Sequence, residues 1–99
     1  MYAQVVGDDL IFDWDEANIQ HIARHEVKPE ELEQLSANDP IDIDFEVVDG
    51  EDRWTSIGHS NALRFLLVVW TMRQGAIRIV TARVASQPYR DEYLKAKGL

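Results

Sequence analysis

Guanidinium groups are the side chains of this sequence best suited to chemistry on an anion. In the last quarter of the chain, Arg78 and Arg83 interrupt an apolar segment, and Arg90 and Tyr93 follow a few residues later. Arginine stays charged at any usable pH, and its planar fork of donors binds a phosphate in bidentate fashion. This segment therefore predicts a site for an anion.

The distribution of charge along the chain supports that prediction. Residues 1–50 contain two basic and fourteen acidic side chains, a net charge of −12, whereas residues 51–99 contain eight basic and four acidic ones, a net charge of +4. Such an asymmetry indicates an anionic partner for the basic half. The alternative is that the arginines are solvated sheet edges, each balanced by a carboxylate of the acidic half.

Length and composition favour a globular protein and exclude several classes. The chain has 99 residues, of which 45% are hydrophobic and 28% charged, and we expect one domain over residues 1–99. Without cysteine it forms neither disulfides nor thiolate metal sites. The longest apolar run is too short to cross a bilayer, and no secretory signal is visible, so we expect a cytoplasmic protein away from membranes. A net charge of −8 argues against a general nucleic-acid coat protein.

The first half of the sequence predicts one short strand and two helices. Residues 10–14 read as the strand, after which Asp13 or Asp15 caps a helix over residues 15–25. A second helix begins near Lys28, since Pro29 suits the first helical position and acidic residues fill the first turn. Residues 36–40 end this helix.

The second half predicts a series of hairpins followed by a helix. Apolar and acidic residues alternate over 41–47, the pattern of a half-buried strand. Turns such as Asp49-Gly50 and Gln74-Gly75 separate further strands over residues 53–59, 64–73 and 76–84, and Ser86 caps the last helix. The order β-α-α-β-β-β-β-α predicts an α+β fold, with an antiparallel sheet of four to five strands packed by two N-terminal helices and one C-terminal helix.

Two groups of residues, in order along the chain, resemble BrnT-like proteins. The groups are Phe12-Asp-Trp-Asp-Glu16, His21-Ile-Ala-Arg-His25, Val27, Pro29-Glu-Glu31 and Glu33, and then Arg53, Gly58, Arg64, Arg73, Arg78-Ile-Val-Thr-Ala-Arg83, Arg90 and Tyr93. The resemblance covers about residues 10–95. It implies a fold similar to RelE-type ribonuclease toxins and a role as the toxin of a type II toxin–antitoxin pair. Such a toxin cuts RNA until a small antitoxin, of ribbon-helix-helix or similar type, covers it.

The sequence departs from the family pattern at two positions. Glu26 stands where the family usually has glycine, which would suit a left-handed helix C-cap. Tyr89 stands where the family tends to have glutamate, three residues after the residue that opens the last helix. That glutamate is either a catalytic acid or base, or the reciprocal half of a capping box. If the glutamate is catalytic, this chain is a relative with weakened or absent catalytic activity.

The RNA cleavage that the resemblance implies assigns roles to particular side chains. Without a metal, cleavage needs a base, an acid and cations that stabilise charge on the phosphate. We expect Arg53, Arg78 and Arg83 to be the cations and His25 the acid or base, because imidazoles change protonation near neutral pH. The alternatives are ion pairs with the acidic half for the arginines and a favourable helix-dipole contact for His25. Arg78 and Arg83 are five residues apart, so they share a face only if a bulge intervenes or Arg83 lies past the strand end.

Further residues are candidates for RNA binding. They are Arg64, Arg73, Arg90 and Tyr93. Ion pairs are the favoured alternative for Arg64 and Arg73, and packing against the sheet is the favoured alternative for Tyr93. His21 and His25 have the i, i+4 spacing of metal ligands, but no third ligand stands out, so we expect neither a metal nor a cofactor.

Three functions stay open from sequence alone. The first is an endoribonuclease toxin that a partner antitoxin neutralises. The second is a catalytically silent module on the same fold, whose acidic strand with Asp42, Asp44 and Glu46 binds a basic partner, or whose basic sheet binds an acidic peptide or RNA without cleaving it. The third is a small homodimer that associates through a sheet edge or a tryptophan-rich surface.

Overall fold

The chain folds into one sheet with helices on both sides. A computed structural model describes residues 2–6 and 10–99. In these ranges the elements are β1 (Tyr2–Val6), β2 (Leu10–Trp14), α1 (Glu16–Ala23), α2 (Pro29–Ala37), β3 (Ile41–Val48), β4 (Glu51–His59), β5 (Phe65–Arg73), β6 (Ala76–Val84) and α3 (Gln87–Ala96). The predicted α+β class and the predicted order of helices and strands from β2 to α3 are confirmed.

The sheet has the strand order β1-β2-β6-β5-β4-β3 and is mixed rather than purely antiparallel. Four neighbouring pairs are antiparallel hairpins, whereas β2 pairs with β6 in parallel, with Phe12 opposite Ile77. The parallel pair arises because α1 and α2 carry the chain from β2 to the far edge. The meander from β3 then returns to place β6 beside β2. β1, which was not predicted, adds one strand beyond the expected four to five.

Two-residue turns form two of the three hairpins of the meander, β3–β4 and β5–β6. Asp49 and Gly50 have φ angles of 52° and 78°, and Gln74 and Gly75 have φ angles of 52° and 79°. Positive φ at both central positions is the geometry of a two-residue hairpin whose twist matches that of the strands, and glycine adopts it without steric cost. Both predicted turns are therefore confirmed.

Local capping signals position the helices. Asp15, rather than Asp13, caps α1: its carboxylate accepts the Asn18 backbone N–H at 2.9 Å, and the Asn18 side chain accepts the Asp15 N–H at 2.9 Å. Glu26, which follows α1, has φ 60°, so it holds the left-handed conformation for which glycine is better suited. Ser86 occupies the N-cap position of α3, but its side chain makes no capping hydrogen bond.

The helices divide the sheet into two faces. Leu66 and Val68 belong to the core beneath α1 and α2, while Leu67 between them packs beneath α3, as the alternation of a strand requires. We call these sides the two-helix face and the α3 face. The larger core, on the two-helix face, consists of Phe12, Trp14, Ile22, Val27, Leu32, Leu35, Leu66, Val68, Ile79 and Ala82. The smaller core, on the α3 face, contains Ile57, Leu67 and Tyr93 and leaves the opposite end of that face uncovered.

Gly58 allows α2 to lie close to β4, and we predict that Gly58→Ala destabilises the fold. A β-carbon at this position would lie 2.7 Å from Leu35 Cγ and 3.1 Å from Pro40 Cβ. We expect a loss of about 1–3 kcal/mol in the free energy of unfolding, the usual cost of overpacking, measured by urea denaturation.

A double-mutant cycle identifies the contact responsible. Leu35→Ala alone opens a cavity and costs roughly 2–5 kcal/mol, but it also makes room for the new methyl group. Gly58→Ala should therefore cost less in the Leu35→Ala background than in the wild type. Strictly additive losses would contradict the steric explanation.

Candidate functional site

A polar cleft lies on the uncovered part of the α3 face. It has a volume of about 330 Å³ and is bounded by strands β4, β5 and β6 and by α1. Helix α1 borders both faces of the sheet, since its Ile22 packs in the larger core while its His21 contacts Thr81 of the α3 face. The side chains that could do chemistry along its wall are His21, Glu51, Arg53, Thr71, Arg73 and Arg78. Three arginines from three neighbouring strands therefore line one cleft.

Strand register explains why these side chains converge. Thr71 lies directly opposite Arg78, and residues directly opposite on paired strands point to the same face. Thr71 is four residues from Leu67 of the smaller core, so both belong to the α3 face. Glu51 and Arg53 are two residues apart on β4 and share that face for the same reason.

Arg78 is the most constrained of the three arginines. Its Nη2 donates to Asp15 Oδ2 at 2.6 Å, and its Nη1 lies 3.5 Å from Asp13 Oδ2. The side chain is only 17% exposed. Nη1 is buried and, among the residues described, meets no hydrogen-bond acceptor. The guanidinium is thus fixed in place by two carboxylates, and its buried Nη1 makes an ion-pair contact with Asp13 but no hydrogen bond.

The carboxylate of Asp15 responds to this arrangement. The backbone N–H of Asn18 and, second, the guanidinium of Arg78 lower the pKa of Asp15 below its ordinary value. Both contacts favour the charged carboxylate. Because the same carboxylate caps α1, the start of that helix and the position of Arg78 depend on one ionised group.

Glu51 is shared between the other two arginines. Its Oε1 accepts from Arg53 Nε at 3.0 Å, and its Oε2 lies 3.7 Å from Arg73 Nη2. A carboxylate held between two guanidiniums occupies the position that a phosphate oxyanion would favour. A phosphate that bound both guanidiniums would have to displace the Glu51 carboxylate.

The histidine of the cleft is His21, not the predicted His25. His21 Nε2 lies 3.1 Å from Thr81 Oγ1, and this half-buried ring lines the cleft together with the neighbouring Asn18 of α1. His25 is exposed one turn further along, beyond the end of α1, with its ring 6.0 Å from that of His21. The assignment of His25 as acid or base therefore finds no support in its position.

A bulge brings Arg83 to the face of Arg78 but not into the cleft. Thr81 pairs with Val69 and Ile79 with Trp70, which leaves Val80 as an extra residue in β6. Arg83 consequently lies opposite Leu67, on the α3 face. The separation from Arg78 along β6 is still roughly 13–16 Å, and the exposed Arg83 side chain does not line the cleft.

Of the remaining candidates for RNA binding, one lines the cleft and the others lie elsewhere. Arg73 lines the cleft, whereas Arg90 is exposed on α3. Arg64 Nη1 donates to the Glu26 carbonyl at 2.7 Å and to Glu31 Oε1 at 2.8 Å, so it secures the connection between α1 and α2.

Tyr93, which the sequence analysis named as a candidate for RNA binding, packs in the smaller core. It is 4% exposed, its ring packs against those of His59 and Phe65, and its hydroxyl lies 3.3 Å from the Asp39 carbonyl. A base cannot stack on this ring while α3 covers the sheet.

The sequence prediction missed Glu51 and His21. The period of two on β4 could have identified Glu51, since it stands two residues before Arg53 on a strand. No local pattern separates His21 from His25, because the sequence predicts a helix over residues 15–25 that contains both, whereas the observed α1 ends at Ala23 and only His21 meets the sheet.

Two further observations concern the described part of the chain. Within it, no group of three or more histidine or acidic side chains is arranged to hold a metal ion. None of its helices has the length and apolar character that a membrane span requires.

Comparison with known protein families identifies the family to which the chain is related. Residues 14–88 match the family described as ribonuclease toxin, BrnT, of type II toxin-antitoxin system. The chain belongs to the BrnT family. The match covers about three quarters of the chain, and it contains every cleft residue named above but ends before Arg90 and Tyr93. No curated protein matches the chain.

Family membership confirms the resemblance found in the sequence. BrnT proteins are ribonuclease toxins of toxin–antitoxin systems, so the family implies RNA as the substrate and an antitoxin as the partner. The cleft is the place on the described surface where arginines from several strands meet, and it is therefore the candidate active site.

We predict that Asp15 titrates below the ordinary aspartate range and that Arg78→Gln moves its pKa partly back. The return is partial because the Asn18 N–H, the larger cause, remains. Carbon-detected NMR titration of the carboxyl group measures both values. Arg53→Gln is the control, since Arg53 pairs with Glu51, and it should leave the Asp15 titration unchanged.

The same shift predicts a change in stability with pH. The folded pKa of Asp15 lies below the unfolded value of about 3.9, so its contribution is complete above that pH and disappears as the pH falls through the folded pKa. Asp15→Asn should therefore reduce the loss of stability in acid. An unchanged pH profile in this variant would contradict the coupling.

Proposed function

We propose that this chain is an endoribonuclease toxin that cleaves RNA in the cleft of the α3 face without a metal, until an antitoxin neutralises it. The observation that supports this function is the meeting of Arg53, Arg73 and Arg78 with Glu51 and His21 in one cleft. Cationic groups, a carboxylate and an imidazole are the parts that cleavage of a phosphodiester requires.

The reaction is an intramolecular transesterification of the RNA. A base removes the proton of a 2′-hydroxyl, whose oxygen attacks the adjacent phosphorus. The bond from phosphorus to the 5′ oxygen breaks, and an acid gives that oxygen a proton. The products are a 2′,3′-cyclic phosphate and a 5′-hydroxyl. Negative charge gathers on the phosphoryl oxygens during the attack, and fixed cations lower its energy.

The contacts in the cleft suggest a role for each group. Arg53 and Arg73 bind the phosphate in place of Glu51, and Arg78 adds a fixed positive charge in the wall of the cleft. The released carboxylate of Glu51 serves as the base, and His21 as the acid. Asp13 and Asp15 hold Arg78 in position, so it need not reorganise as the charge develops.

The composition of the cleft supports a reaction without a metal. Divalent cations are bound by clusters of oxygen or imidazole ligands, but here one carboxylate stands between two guanidiniums that would repel a cation. The arginines also supply the positive charge that a metal would otherwise provide. Cleavage should accordingly persist in the presence of EDTA.

One observation favours a second candidate, an RNA-binding module without catalysis. Each cleft arginine already has a carboxylate within 4 Å, and Tyr89 replaces the glutamate usual in the family. If the ion pairs are too stable for a phosphate to displace, RNA would bind weakly and remain intact. The experiment below separates the two candidates.

We predict growth arrest with RNA loss when the chain is expressed without its antitoxin, and cleavage of RNA by the purified protein. Arg53→Gln and Arg78→Gln should each lower the cleavage rate by about 10²–10³-fold, the usual effect of removing one charge-stabilising donor. Arg24→Gln, at an exposed position outside the cleft, is the matched control and should cleave at the wild-type rate. Circular dichroism verifies that each variant is folded.

The outcome distinguishes the candidates. RNA that is bound but intact at high protein concentration would establish the second candidate. Equal losses of cleavage rate in Arg24→Gln and Arg53→Gln would show that the cleft is not the site of cleavage.

We further predict that the two histidines differ. His21→Asn should reduce cleavage by about 10²–10⁴-fold, as expected for loss of a general acid, whereas His25→Asn should have little effect. Glu51→Gln, which keeps the shape of the side chain, should reduce the rate by a similar factor. A loss of activity in His25→Asn alone would restore the assignment made from the sequence.

A further inference from the structure

The two-helix face carries an uncovered row of aromatic rings at the end away from α2. Phe45 on β3 lies opposite Trp54 on β4, which lies opposite Trp70 on β5. The ring centroids of Phe45 and Trp54 are 5.3 Å apart, and those of Trp54 and Trp70 are 4.7 Å apart with nearly parallel planes. The three rings therefore form a continuous aromatic surface across three strands.

Exposed aliphatic side chains extend this surface along the strands. Phe45 is 51% exposed, Val47, two residues further on β3, is 60% exposed, and Met72, two residues beyond Trp70, is 46% exposed. We call Phe45, Val47, Trp54, Trp70 and Met72 the aromatic patch. Single exposed apolar residues are ordinary, but a contiguous group of them marks a surface that another molecule covers.

The aromatic patch has an apolar cavity at its inner border. The cavity, of about 180 Å³, separates the patch from α2, and Trp70 forms part of its wall together with Leu35, Pro40 and Ile77. One large apolar side chain of a partner would fit a space of this size. The rim is polar, because Asp42 accepts the Ser56 hydroxyl at 2.6 Å, and that hydroxyl accepts the Trp70 indole N–H at 2.8 Å.

Charge determines which kind of molecule can cover the patch. Residues 41–53, which run from the start of β3 into β4, contain six acidic side chains and one basic one, of which Asp44, Glu46 and Glu51 lie on the opposite face with Arg53. Asp42 and Asp52 lie on the same face as the patch, since they pair with Ser56 and Val47. RNA would be repelled here despite the aromatic rings, because phosphates dominate its approach. A second copy would bring two acidic hairpins together, which like-charge repulsion disfavours.

We propose that the aromatic patch is the docking surface of the antitoxin, which contacts it through a basic segment carrying large apolar side chains. The proposal rests on the proposed function, in which an antitoxin neutralises the toxin. Trp54 and Arg53 are successive residues of β4 and point to opposite faces, so the antitoxin anchor and the RNA cleft lie on opposite sides of one sheet. Cleavage and antitoxin binding are then separable by mutation.

The test begins by defining the antitoxin through its activity. It is the product of a gene neighbouring that of this chain whose co-expression restores growth. The purified antitoxin is then titrated against the wild-type chain, the double variant Phe45→Ser/Val47→Ser and the control Leu63→Ser. Leu63 is 67% exposed in the connection between β4 and β5, so this control also removes one exposed apolar side chain.

We expect the double variant to bind the antitoxin at least about tenfold more weakly, as when central apolar contacts of an interface are lost. Leu63→Ser should bind as the wild type does. Because both patch residues are exposed, the double variant should fold, and its RNA cleavage without antitoxin should stay within about twofold of the wild type.

A second arm tests the charge of the partner. Asp52→Lys should slow association with the antitoxin at low ionic strength, and added salt should reduce the difference. Asp91→Lys makes the same change of charge at an exposed position of α3, on the other side of the sheet, and should have a smaller effect.

Each result supports or overturns the proposal. Weaker antitoxin binding with intact cleavage supports it. Unchanged binding by the double variant overturns the docking surface and leaves the proposed function standing. Loss of cleavage in the double variant overturns the separation of the two faces. If no neighbouring gene product restores growth, neutralisation by an antitoxin fails, and the docking surface fails with it.

Discussion

The ion pair between Arg78 and Asp15 is the interaction on which the arrangement of the cleft depends. It connects β6 to the N-terminus of α1, and the same carboxylate caps the helix through the Asn18 N–H. A guanidinium that is mostly buried requires such a partner, because an unpaired buried charge is strongly destabilising. With α1 fixed by this contact, His21 meets Thr81 at the border of the cleft. The ionised Asp15 side chain therefore orients the two walls of the cleft, the one formed by α1 and the one formed by β6.

The parts of the fold that local chemistry decides were predictable from sequence. Turns at Asp49-Gly50 and Gln74-Gly75 need positive φ, and glycine, which adopts it without steric cost, stands at the second position of each. The parallel pairing of β2 with β6 was not predictable in this way, because it joins strands far apart in the chain. The bulge at Val80 likewise depends on the register between β6 and β5, and nothing within β6 marks it.

The residues of the candidate site also fall into those that the sequence could identify and those that depend on tertiary packing. Arg78 was identified because it interrupts an apolar strand pattern, and Arg53 was chosen as a cation for the RNA cleavage that the family resemblance implies; both line the cleft. Choosing between His21 and His25 required knowing where α1 ends and which of its side chains meets β6, and the i, i+4 spacing of the two residues reveals neither. Tyr93 was ambiguous for a related reason, since a tyrosine serves equally in a core and at a binding surface.

The acidic half of the sequence has two different uses in the folded chain. Asp13 and Asp15 are the ion-pair partners of Arg78, so part of the negative charge balances the basic half, as one interpretation of the sequence held. The acidic side chains of the β3–β4 hairpin are instead mostly exposed. On the face of Phe45 and Trp54, the charges of Asp42 and Asp52 are available to a partner, whereas Glu46 and Glu51 lie on the face of Arg53. Alternation along β4 turns Arg53 and Trp54 to opposite faces, and so a single strand contributes to a cationic cleft and an acidic, aromatic surface. Two partners of opposite charge, RNA and a basic protein segment, can in this way use one small sheet.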